Sequence, residues 1–421
     1  MTKTKAEILT IGDEILYGQL LDTNSQWMSA ELDSIGIKTI RKTTVSDSRE
    51  DILTAFREAE LRADIILITG GLGPTNDDLT KPCLSEYFDS PIVMNEQALK
   101  ELTEFFSSKG RELNEVNRLQ AALPECSDMI SNPLGTACGI WIHRNGKVFV
   151  SMPGVPHEMK RMMTDTVIPR LQQTYQTDVI YHKIIKTIGI GESWLAELIK
   201  EWEDNLPKHI KLAYLPSMGE VKLRLTAIGD DLDALKSEVQ SQIDKLLSCA
   251  EKYIYGYDND RIEGAVGSML VKYGKTIALA ESCTGGYVSH LITSVAGSSE
   301  YYRGSIIPYH NDVKIHNLGV KEDTLKAHGA VSEETVYEMA NRVREQFNAD
   351  IGVATSGVAG PSGGTPEKPV GTVWIAYADR EQTITRKLQL WKDRRINIEA
   401  TAIALLNLIR ITLPKSIEIK E

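Results

Sequence analysis

The sequence predicts an α/β protein in three parts, and three observations support this fold class. Short apolar runs alternate with segments of helical periodicity near both ends of the chain, which is the pattern of βαβ units. Polar or glycine-rich corners follow several of these runs. The 421 residues also exceed what one ordinary hydrophobic core organises. We predict domains at residues 1–172, 173–256 and 257–415.

The first part reads as strand 6–11, helix 24–35, strand 37–45, helix 49–61 and strand 64–69. This alternation predicts parallel βαβ units with helices on both faces of a sheet. Two helical segments follow between residues 96 and 123, and then a hairpin of strands 139–143 and 147–152, whose Asn145-Gly146 pair is a tight-turn signal. A helix at 155–173 closes this part. Ligands of such sheets bind at the carboxyl ends of the strands.

A glycine-rich loop at residues 70–80 follows the third strand, where such a ligand is expected. Gly70, Gly71 and Gly73 allow close approach of the backbone, and Thr75 lies beside them. One interpretation is a phosphate-binding loop in which Asp77 and Asp78 hold a divalent metal ion. The alternative is a Gly-Pro turn followed by an aspartate that opens the next helix.

The middle part reads as strand 178–186, helix 192–202, strands 210–215 and 220–227, and helix 231–247. This βαββα pattern predicts a small linking domain, and it contains no constellation of catalytic residue types. The glycines at 189 and 191 are interpreted as turn residues before a capped helix rather than as ligand contacts. Trp194 and Trp202 are interpreted as core or contact residues.

The last part is predicted to be an α/β sandwich. A helix at 261–272 opens it. Strands are predicted at 277–280, 351–355, 370–378 and 383–390, and further helices at 287–295, 333–347 and 396–411.

The corner at residues 279–286 is the first candidate site of this last part. Ser282 and Thr284 are good N-cap residue types, so a structural cap is one interpretation. The other is chemical, because a hydroxyl beside the unpaired N–H groups of a helix start can attack a carbonyl and have the resulting oxyanion stabilised. Cys283 is a rival nucleophile, with His290 or His310 as its partner.

Two more polar clusters follow within about a hundred residues, which turns alone do not explain. The first is the run from Tyr309 to Lys314, and the second is the glycine-rich segment 355–365, continued by 368–374. In this order and spacing, residues 262–413 closely resemble the nicotinamide-mononucleotide deamidase domain of the CinA family, a serine–lysine amidohydrolase. The resemblance implies that Ser282 is the nucleophile and that Tyr309 and Lys314 assist it. Pro308 and His310 depart from the Thr and Ser that the family pattern leads us to expect.

The implied chemistry requires a base and an oxyanion site, because a carboxamide is a poor electrophile. A free lysine has a pKa of about 10.4, so Lys314 can act as the base only where burial or a nearby cation lowers that pKa. The oxyanion is expected at the N–H groups of a four-residue run, and the ribose or 5′-phosphate at the later loop. These binding residues are Cys283, Thr284, Gly285 and Gly286, and Gly357, Ala359, Gly360, Gly363 and Gly364. We expect no cofactor for this half.

The first part resembles the N-terminal domain of the same family, whose fold is that of molybdopterin-binding domains. The resemblance rests on residues 11–16, 22–24, 70–80 and 153–159. It implies hydrolysis of ADP-ribose to AMP and ribose 5-phosphate with Mg²⁺, Mn²⁺ or Co²⁺, with or without K⁺. Asp78 is the first candidate metal ligand, followed by Asp13, Asp77 and Glu158. A homodimer is likewise implied by resemblance.

Composition limits the possible partners. With 42% hydrophobic and 25% charged residues the chain has the composition of a soluble globular protein. The net charge of −11 argues against direct nucleic-acid binding, because a protein that follows phosphates needs a positive surface. No signal-peptide core and no run of roughly 18 apolar residues is found, so we expect no membrane association. Five scattered cysteines indicate neither disulfides nor zinc and favour a reducing cytoplasm: Cys83, Cys126, Cys138, Cys249 and Cys283.

Three hypotheses therefore stand. The first is a bifunctional enzyme that acts on nicotinamide mononucleotide and ADP-ribose. The second is a deamidase alone, with the first part serving as a binding or dimerising module. The third is a non-enzymatic accessory of competence or DNA repair, against which the absence of a basic stripe counts only as far as direct DNA binding is concerned.

Overall fold

The computed structural model describes residues 4–75, 77–175 and 179–418. Outside the described residues lie residues 1–3, where no signal-peptide core is predicted, residue 76 of the glycine-rich loop and residue 178 of the strand predicted at 178–186. Contacts divide the chain into two compact units. One contains Met1–Tyr181 with Ile228–Lys236, and the other contains His182–Ala227 with Ser237–Glu421.

The first unit contains alternating strands and helices, as predicted, together with short elements that the sequence pattern did not reveal. In chain order they are β1 (Lys5–Ile11), α1 (Asp13–Leu16), α2 (Thr23–Ser34), β2 (Lys38–Val45), α3 (Arg49–Arg62), β3 (Ile65–Thr69), α4 (Thr80–Tyr87), β4 (Ile92–Met94), α5 (Glu96–Ser108), α6 (Glu115–Arg118), β5 (Ala122–Pro124), β6 (Asp128–Ile130), β7 (Gly139–Arg144), β8 (Lys147–Met152), α7 (Pro156–Met162) and α8 (Ile168–Thr174).

The main sheet of this unit has the strand order β2-β1-β3-β8-β7-β6. Its first four strands are parallel, and β7 and β6 continue the sheet antiparallel. The hairpin between β7 and β8 turns at Asn145 and Gly146, whose φ values of 53° and 76° are those of a type I′ turn. Separate apolar clusters cover the two faces of the sheet, so β3 is buried at every position.

The middle part follows the predicted βαββα order and adds a fourth strand. Its elements are β9 (Val179–Ile188), α9 (Glu192–Asp204), β10 (Ile210–Ser217), β11 (Glu220–Gly229), α10 (Leu232–Ala250) and β12 (Ile254–Tyr257). The sheet order is β10-β11-β9-β12. Trp202 is buried and its indole N–H donates to the carbonyl of Gln242 (2.9 Å), whereas Trp194 is 69% exposed. Trp202 is therefore a core residue, and Trp194 is not.

The C-terminal part is an α/β sandwich around one mixed sheet. Its elements are α11 (Ile262–Lys272), β13 (Ile277–Glu281), α12 (Tyr287–Thr293), β14 (Tyr302–Ile306), α13 (Asn311–His316), α14 (Glu322–His328), α15 (Glu333–Gln346), β15 (Ile351–Gly357), β16 (Thr372–Ala378), β17 (Thr383–Gln389) and α16 (Arg394–Glu418). The strand order is β14-β13-β15-β16-β17, with the first three strands parallel. Sequence periodicity did not reveal β14, α13 or α14.

Helix α16 is the long core helix of this part. By length and composition its segment Arg394–Ser416 is the one helix among the described residues that could cross a membrane. Leu405, Leu406 and Ile409 of this segment are fully buried in the apolar cluster that covers one face of the sheet. Burial against a sheet is the ordinary role of an apolar helix in a folded domain.

Candidate active site

Ser282 and Lys314 lie at the carboxyl edge of the C-terminal sheet. Ser282 directly follows β13, and its N–H donates to the carbonyl of Thr355 in the neighbouring strand β15 (2.9 Å). Lys314 lies on α13, which follows β14 on the other side of β13. The carboxyl ends of parallel strands meet at one edge. The topology therefore brings the two side chains together although they are distant in sequence.

The two side chains form a direct hydrogen bond. Lys314 Nζ donates to Ser282 Oγ over 3.1 Å, and to the carbonyls of Pro308 (2.7 Å) and Tyr309 (3.4 Å). Ser282 is 8% and Lys314 1% exposed. No carboxylate of the described residues pairs with this ammonium group. Burial lowers the pKa of Lys314 from 10.5 to about 8, which is the direction that a general base near neutral pH needs.

Tyr309 contributes to this arrangement through its backbone. Its side chain is 60% exposed, and its hydroxyl accepts a hydrogen bond from the guanidinium of Arg394 (2.8 Å). Because Lys314 contacts Ser282 directly, proton transfer does not require the tyrosine as a relay. His310 is the N-cap of α13, where its ring accepts from the N–H of Asp312 (3.3 Å).

Cys283 lies beside Ser282 but is placed as a core residue. It belongs to the apolar cluster of the sheet and is 6% exposed. Burial raises the pKa of this thiol to about 12, so it remains protonated at neutral pH. No hydrogen bond joins it to His290 or His310 in the part of the chain that the structure describes. The geometry therefore favours the serine over the cysteine as nucleophile.

The prediction that Ser282 or Thr284 caps the following helix is wrong. Helix α12 begins after Gly286, which has a left-handed φ of 97°, and the carboxylate of Glu281 accepts from the N–H groups of Val288 (3.0 Å) and Ser289 (2.7 Å). Glu281 is fully buried and caps the helix from the strand side. The hydroxyl of Ser282 is thereby left for Lys314.

Two of the four N–H groups predicted to bind the oxyanion are already used. The N–H of Gly285 donates to the carbonyl of Ser282 (3.2 Å) and that of Gly286 to the carboxylate of Glu281 (3.1 Å). The N–H groups of Cys283 and Thr284 donate to no carbonyl or carboxylate among the described residues. The candidate oxyanion site therefore contains two available N–H donors, those of Cys283 and Thr284, and not the four that the sequence indicated.

The glycine-rich segment 357–364 follows β15 at the same edge of the sheet. Gly357 and Gly364 have packing reasons to be glycine, because an added Cβ would lie 2.6 Å from Val373 Cγ2 and 2.7 Å from the N of Val370, respectively. The carbonyl of Ala359 accepts from Asn397 (2.9 Å). Of the predicted binding positions in this segment, Gly363 and Gly364 are exposed, whereas Ala359 and Gly360 are buried.

Arg394, which sequence reasoning missed, joins two parts of the predicted site. Its guanidinium donates to the carbonyl of Gly360 (2.9 Å) and to the hydroxyl of Tyr309 (2.8 Å). A further cavity of about 490 Å³ is lined by Arg394 together with Tyr287 and Ile398. The side chain is exposed and both of these hydrogen bonds go to neutral acceptors, while Asp393, Arg395 and Glu399 also line the cavity. In the sequence, Arg394 stands in the run Lys392-Asp393-Arg394-Arg395, and nothing in this run indicates which basic side chain contacts the loop.

A second candidate site lies in the first unit. A cavity of about 870 Å³ opens at the carboxyl ends of β1, β3 and β8. Gly70, Gly71, Gly73, Asp77, Asp78 and Glu158 of the predicted residues line it, whereas Thr75 and Asp13 are not among its described lining residues. The position is the one that open α/β sheets use for ligands.

Asp78 lines this cavity and makes contacts within the loop that the sequence did not predict. Its carboxylate accepts from the N–H of Gly73 (2.8 Å) and from both the N–H (2.9 Å) and the hydroxyl of Thr75, so it closes the glycine loop on itself. It does not open helix α4, which starts at Thr80 without a side-chain cap. The N–H of Gly70 is also used internally, by the carbonyl of Met152 (3.1 Å).

The wall of the cavity is acidic. In its described part it carries no Lys, Arg or His, but six carboxylates: Glu14, Asp22, Asp47, Asp77, Asp78 and Glu158. Asp47, which the sequence did not single out, accepts from the N–H of Asp13 (2.9 Å). Burial raises the pKa of Asp47, and the neighbouring charges of Asp13, Glu14 and Asp77 raise it further. A cation would relieve this repulsion.

Whether these acids fit a metal ion depends on the ligand. Among residues 4–75, 77–175 and 179–418, no group of three or more His, Cys, Asp or Glu is placed to hold an ion. Mg²⁺ in nucleotide sites is commonly held by one or two carboxylates together with substrate phosphates and water. Asp47 and Asp77, which both line the cavity and whose charges act on each other, fit that mode, whereas Asp78 accepts hydrogen bonds within the loop.

The two sheets, each with a candidate site at the carboxyl ends of parallel strands, define the chain as an α/β protein. Comparison with known proteins gives the family. Models described as "Probable molybdopterin binding domain", "Damage-inducible protein CinA KH domain" and "CinA C-terminal domain" match residues 7–173, 182–256 and 259–413. The chain belongs to the CinA family.

Relatives that match this chain over nearly all of both sequences support this assignment. A CinA-like protein of Cytophaga hutchinsonii is 54% identical, with 97% of this chain and 98% of the relative covered. A CinA-like protein of Amoebophilus asiaticus is 43% identical, with 96% and 98% covered. A crystal structure of the protein CinA from Thermoplasma acidophilum is 30% identical and covers 41% of this chain and 98% of its own, with a TM-score of 0.37.

Proposed function

We propose that the protein is a bifunctional hydrolase of pyridine-nucleotide salvage, whose C-terminal part deamidates nicotinamide mononucleotide. The buried hydrogen bond between Lys314 and Ser282, with no carboxylate of the described residues paired to the amine, is the observation that carries this proposal. A salt-bridged lysine would stay protonated. A buried lysine among neutral acceptors can lose its proton and accept that of the serine.

The reaction follows from this pair. Neutral Lys314 takes the proton of Ser282, and Oγ attacks the carboxamide carbon of the substrate. The N–H groups of Cys283 and Thr284 stabilise the oxyanion of the tetrahedral intermediate. Lys314 then returns the proton to the amino group, which leaves as ammonia. Water, deprotonated by the same amine, attacks the acyl-enzyme ester, and nicotinic acid mononucleotide and free Ser282 result.

Arg394 would bind the 5′-phosphate of this substrate, because its exposed guanidinium lies at the loop predicted to hold that group. We expect Arg394→Gln to raise KM for nicotinamide mononucleotide about 10- to 100-fold. This corresponds to the affinity typically lost when one charge-assisted hydrogen bond is removed. The value of kcat should stay within about threefold, since the base and nucleophile are intact. Steady-state ammonia release measures both constants.

The neighbouring arginine provides a matched control. Arg395 lines the same cavity and pairs with Glu399 one turn along α16 (3.0 Å), so Arg395→Gln removes the same charge while the bonds of Arg394 to Gly360 and Tyr309 remain. The value of kcat/KM for nicotinamide riboside, which lacks the phosphate, should not change when Arg394 is replaced. An equal loss for the riboside and the mononucleotide would contradict the phosphate role.

For the first unit we propose metal-dependent hydrolysis of ADP-ribose to AMP and ribose 5-phosphate. A divalent ion would neutralise the diphosphate and polarise its phosphorus–oxygen bonds. The residues that would hold it are Asp47 and Asp77, while Asp78 keeps the glycine loop in shape. The acidic cavity supports this proposal, because six carboxylates repel a diphosphate that arrives without cations.

Metal removal should separate the two activities. We expect a chelator to abolish AMP release from ADP-ribose, with recovery on addition of Mg²⁺, Mn²⁺ or Co²⁺. Ammonia release should not change, because Lys314 and backbone N–H groups supply the base and the oxyanion donors. One preparation assayed with both substrates, before and after dialysis against chelator, gives the answer.

Each outcome distinguishes among the hypotheses. Ammonia release alone, whatever metal is added, would leave a deamidase whose first unit only binds or dimerises. Neither product would contradict both enzymatic proposals and favour an accessory of competence or DNA repair. Ammonia release that the chelator stops would show that the C-terminal mechanism proposed above is wrong.

A further inference from the structure

Glu281 is the most densely bonded buried carboxylate at the candidate active site. It is the last residue of β13, directly before Ser282, and it is 0% exposed. Five donors meet its two oxygens: Thr284 Oγ1 (2.7 Å), Gly286 N (3.1 Å), Val288 N (3.0 Å), Ser289 N (2.7 Å) and Ser289 Oγ (2.6 Å). A carboxylate that only accepts is used in its ionised form.

These bonds fix the loop that follows. The loop from Ser282 to Gly286 is anchored at β13 by Glu281 and at α12 by the donors on Val288 and Ser289. Gly285 and Gly286 have φ values of 60° and 97°, a left-handed pair that turns the chain sharply back. The loop therefore has one conformation that satisfies all of these donors at once.

The bonds of this carboxylate also help to determine which N–H groups of the loop remain available to a ligand. It takes the N–H of Gly286 and the hydroxyl of Thr284, and the carbonyl of Ser282 takes the N–H of Gly285. The N–H groups of Cys283 and Thr284 are left for a ligand, as described above. Donors aimed in advance at a developing charge are the main source of oxyanion stabilisation in acyl transfer.

We propose that Glu281 is a positioning residue for the deamidation: it orients the N–H groups of Cys283 and Thr284 toward the oxyanion without touching the substrate. The inference rests on the proposed function. Glu281 forms no ion pair or hydrogen bond with Lys314 within the described residues, so its role is separate from that of the base.

Glu281→Gln tests this role, because the amide keeps the size of the side chain but replaces one accepting oxygen by a donor. We expect kcat for ammonia release to fall about 100-fold, as when one oxyanion donor is lost. KM should stay within about threefold, since substrate binding in the ground state does not use the oxyanion donors. The rise of kcat with pH should keep its midpoint, because the base is unchanged.

Asp350 provides a control for the loss of a capping carboxylate as such. It accepts from the N–H and the hydroxyl of Thr276 (both 2.9 Å) before the amino ends of β13 and β15, far along the sheet from Ser282. Asp350→Asn should lower the melting temperature and leave kcat within about twofold. If Glu281→Gln does not fold, Thr284→Val removes the hydroxyl that donates to Glu281 (2.7 Å) and also bonds to the hydroxyl of Thr355 (2.8 Å), and it should lower kcat about tenfold.

A serine-directed sulfonyl fluoride separates this inference from the identity of the substrate. The rate at which it labels Ser282, located by peptide mass spectrometry, should fall about tenfold or more in Glu281→Gln whatever the natural substrate is. Slower labelling together with absent ammonia release in the parent protein would support the positioning role and overturn the proposed function. Unchanged kcat and labelling in a folded Glu281→Gln would overturn the inference, and so would a shifted pH midpoint.

Discussion

Ser282→Ala is expected to lower kcat for ammonia release by at least about 10⁴-fold, whereas Cys283→Ala should retain kcat within about threefold. The reason is the position of the two side chains. Ser282 Oγ contacts the amine that would activate it at 3.1 Å, while burial keeps the thiol of Cys283 protonated with a pKa of about 12. Single-turnover release of ammonia from nicotinamide mononucleotide measures the effect.

Ser332→Ala is the matched control for this experiment. Ser332 is 7% exposed, almost the same as Ser282, and its hydroxyl caps α15 by accepting from the N–H of Thr335 (3.2 Å). Its removal should cost about 1 kcal/mol of stability and leave kcat unchanged. Full activity of Ser282→Ala, with loss of activity in Cys283→Ala, would replace the serine mechanism by a thiol mechanism.

The sequence predicted the strands and helices with strong periodicity, and failed where periodicity was weak. Buried strands such as β3 and β13 are short continuous apolar runs, and the structure confirms them. Strand β14 escaped because Tyr302–Ile306 contains Arg303 and Gly304 and lies at the edge of its sheet, where neither face imposes an apolar pattern. Helices of six or seven residues, such as α13, are too short to show a period.

The residue types of the C-terminal site could be named from the sequence, but their surroundings could not. Two of the acceptors around Lys314 are backbone carbonyls, of Pro308 and Tyr309, and any residue provides a carbonyl. Its burial depends on α13 packing at the sheet edge, which no local pattern encodes. The lowered pKa of this lysine is therefore a property of the tertiary structure.

Glycines and acids were ambiguous for a different reason. A glycine required by packing and a glycine required by a ligand look the same in sequence, and Gly357 belongs to the first kind because of Val373. Asp78 could be a cap or a metal ligand on sequence grounds, and the structure shows a third use, closure of its own loop. Glu281 was overlooked because nothing in a sequence shows how many donors a carboxylate will meet.

Lys314→Met should abolish the activity and remove its dependence on pH. In the parent protein kcat should rise with pH around 8, where the amine loses its proton, and level off above that value. The variant should lose at least about 10³-fold in kcat at pH 8, because no other base contacts Ser282 among the described residues. Steady-state ammonia release between pH 6 and pH 10 measures the profile.

The same titration should appear in the stability of the protein. The pKa of Lys314 is about 8 in the folded protein and 10.5 for an ordinary lysine, so between these values the unfolded chain binds a proton that the folded chain does not. The free energy of unfolding therefore increases with rising pH across this window. Below about pH 8 the folded protein holds the buried charge, and its full cost to stability is present.

Denaturant unfolding of the parent protein and of Lys314→Met across that window tests this sign. The parent should gain stability relative to the variant as the pH rises from 8 to 10.5. Lys326→Met is the control, because Lys326 is exposed and pairs with Glu322, and an exposed pair contributes little. A parent that loses stability relative to Lys314→Met over this range would mean that the folded state holds the protonated amine. The lysine would then stabilise the Ser282 alkoxide as a cation and would not act as the base.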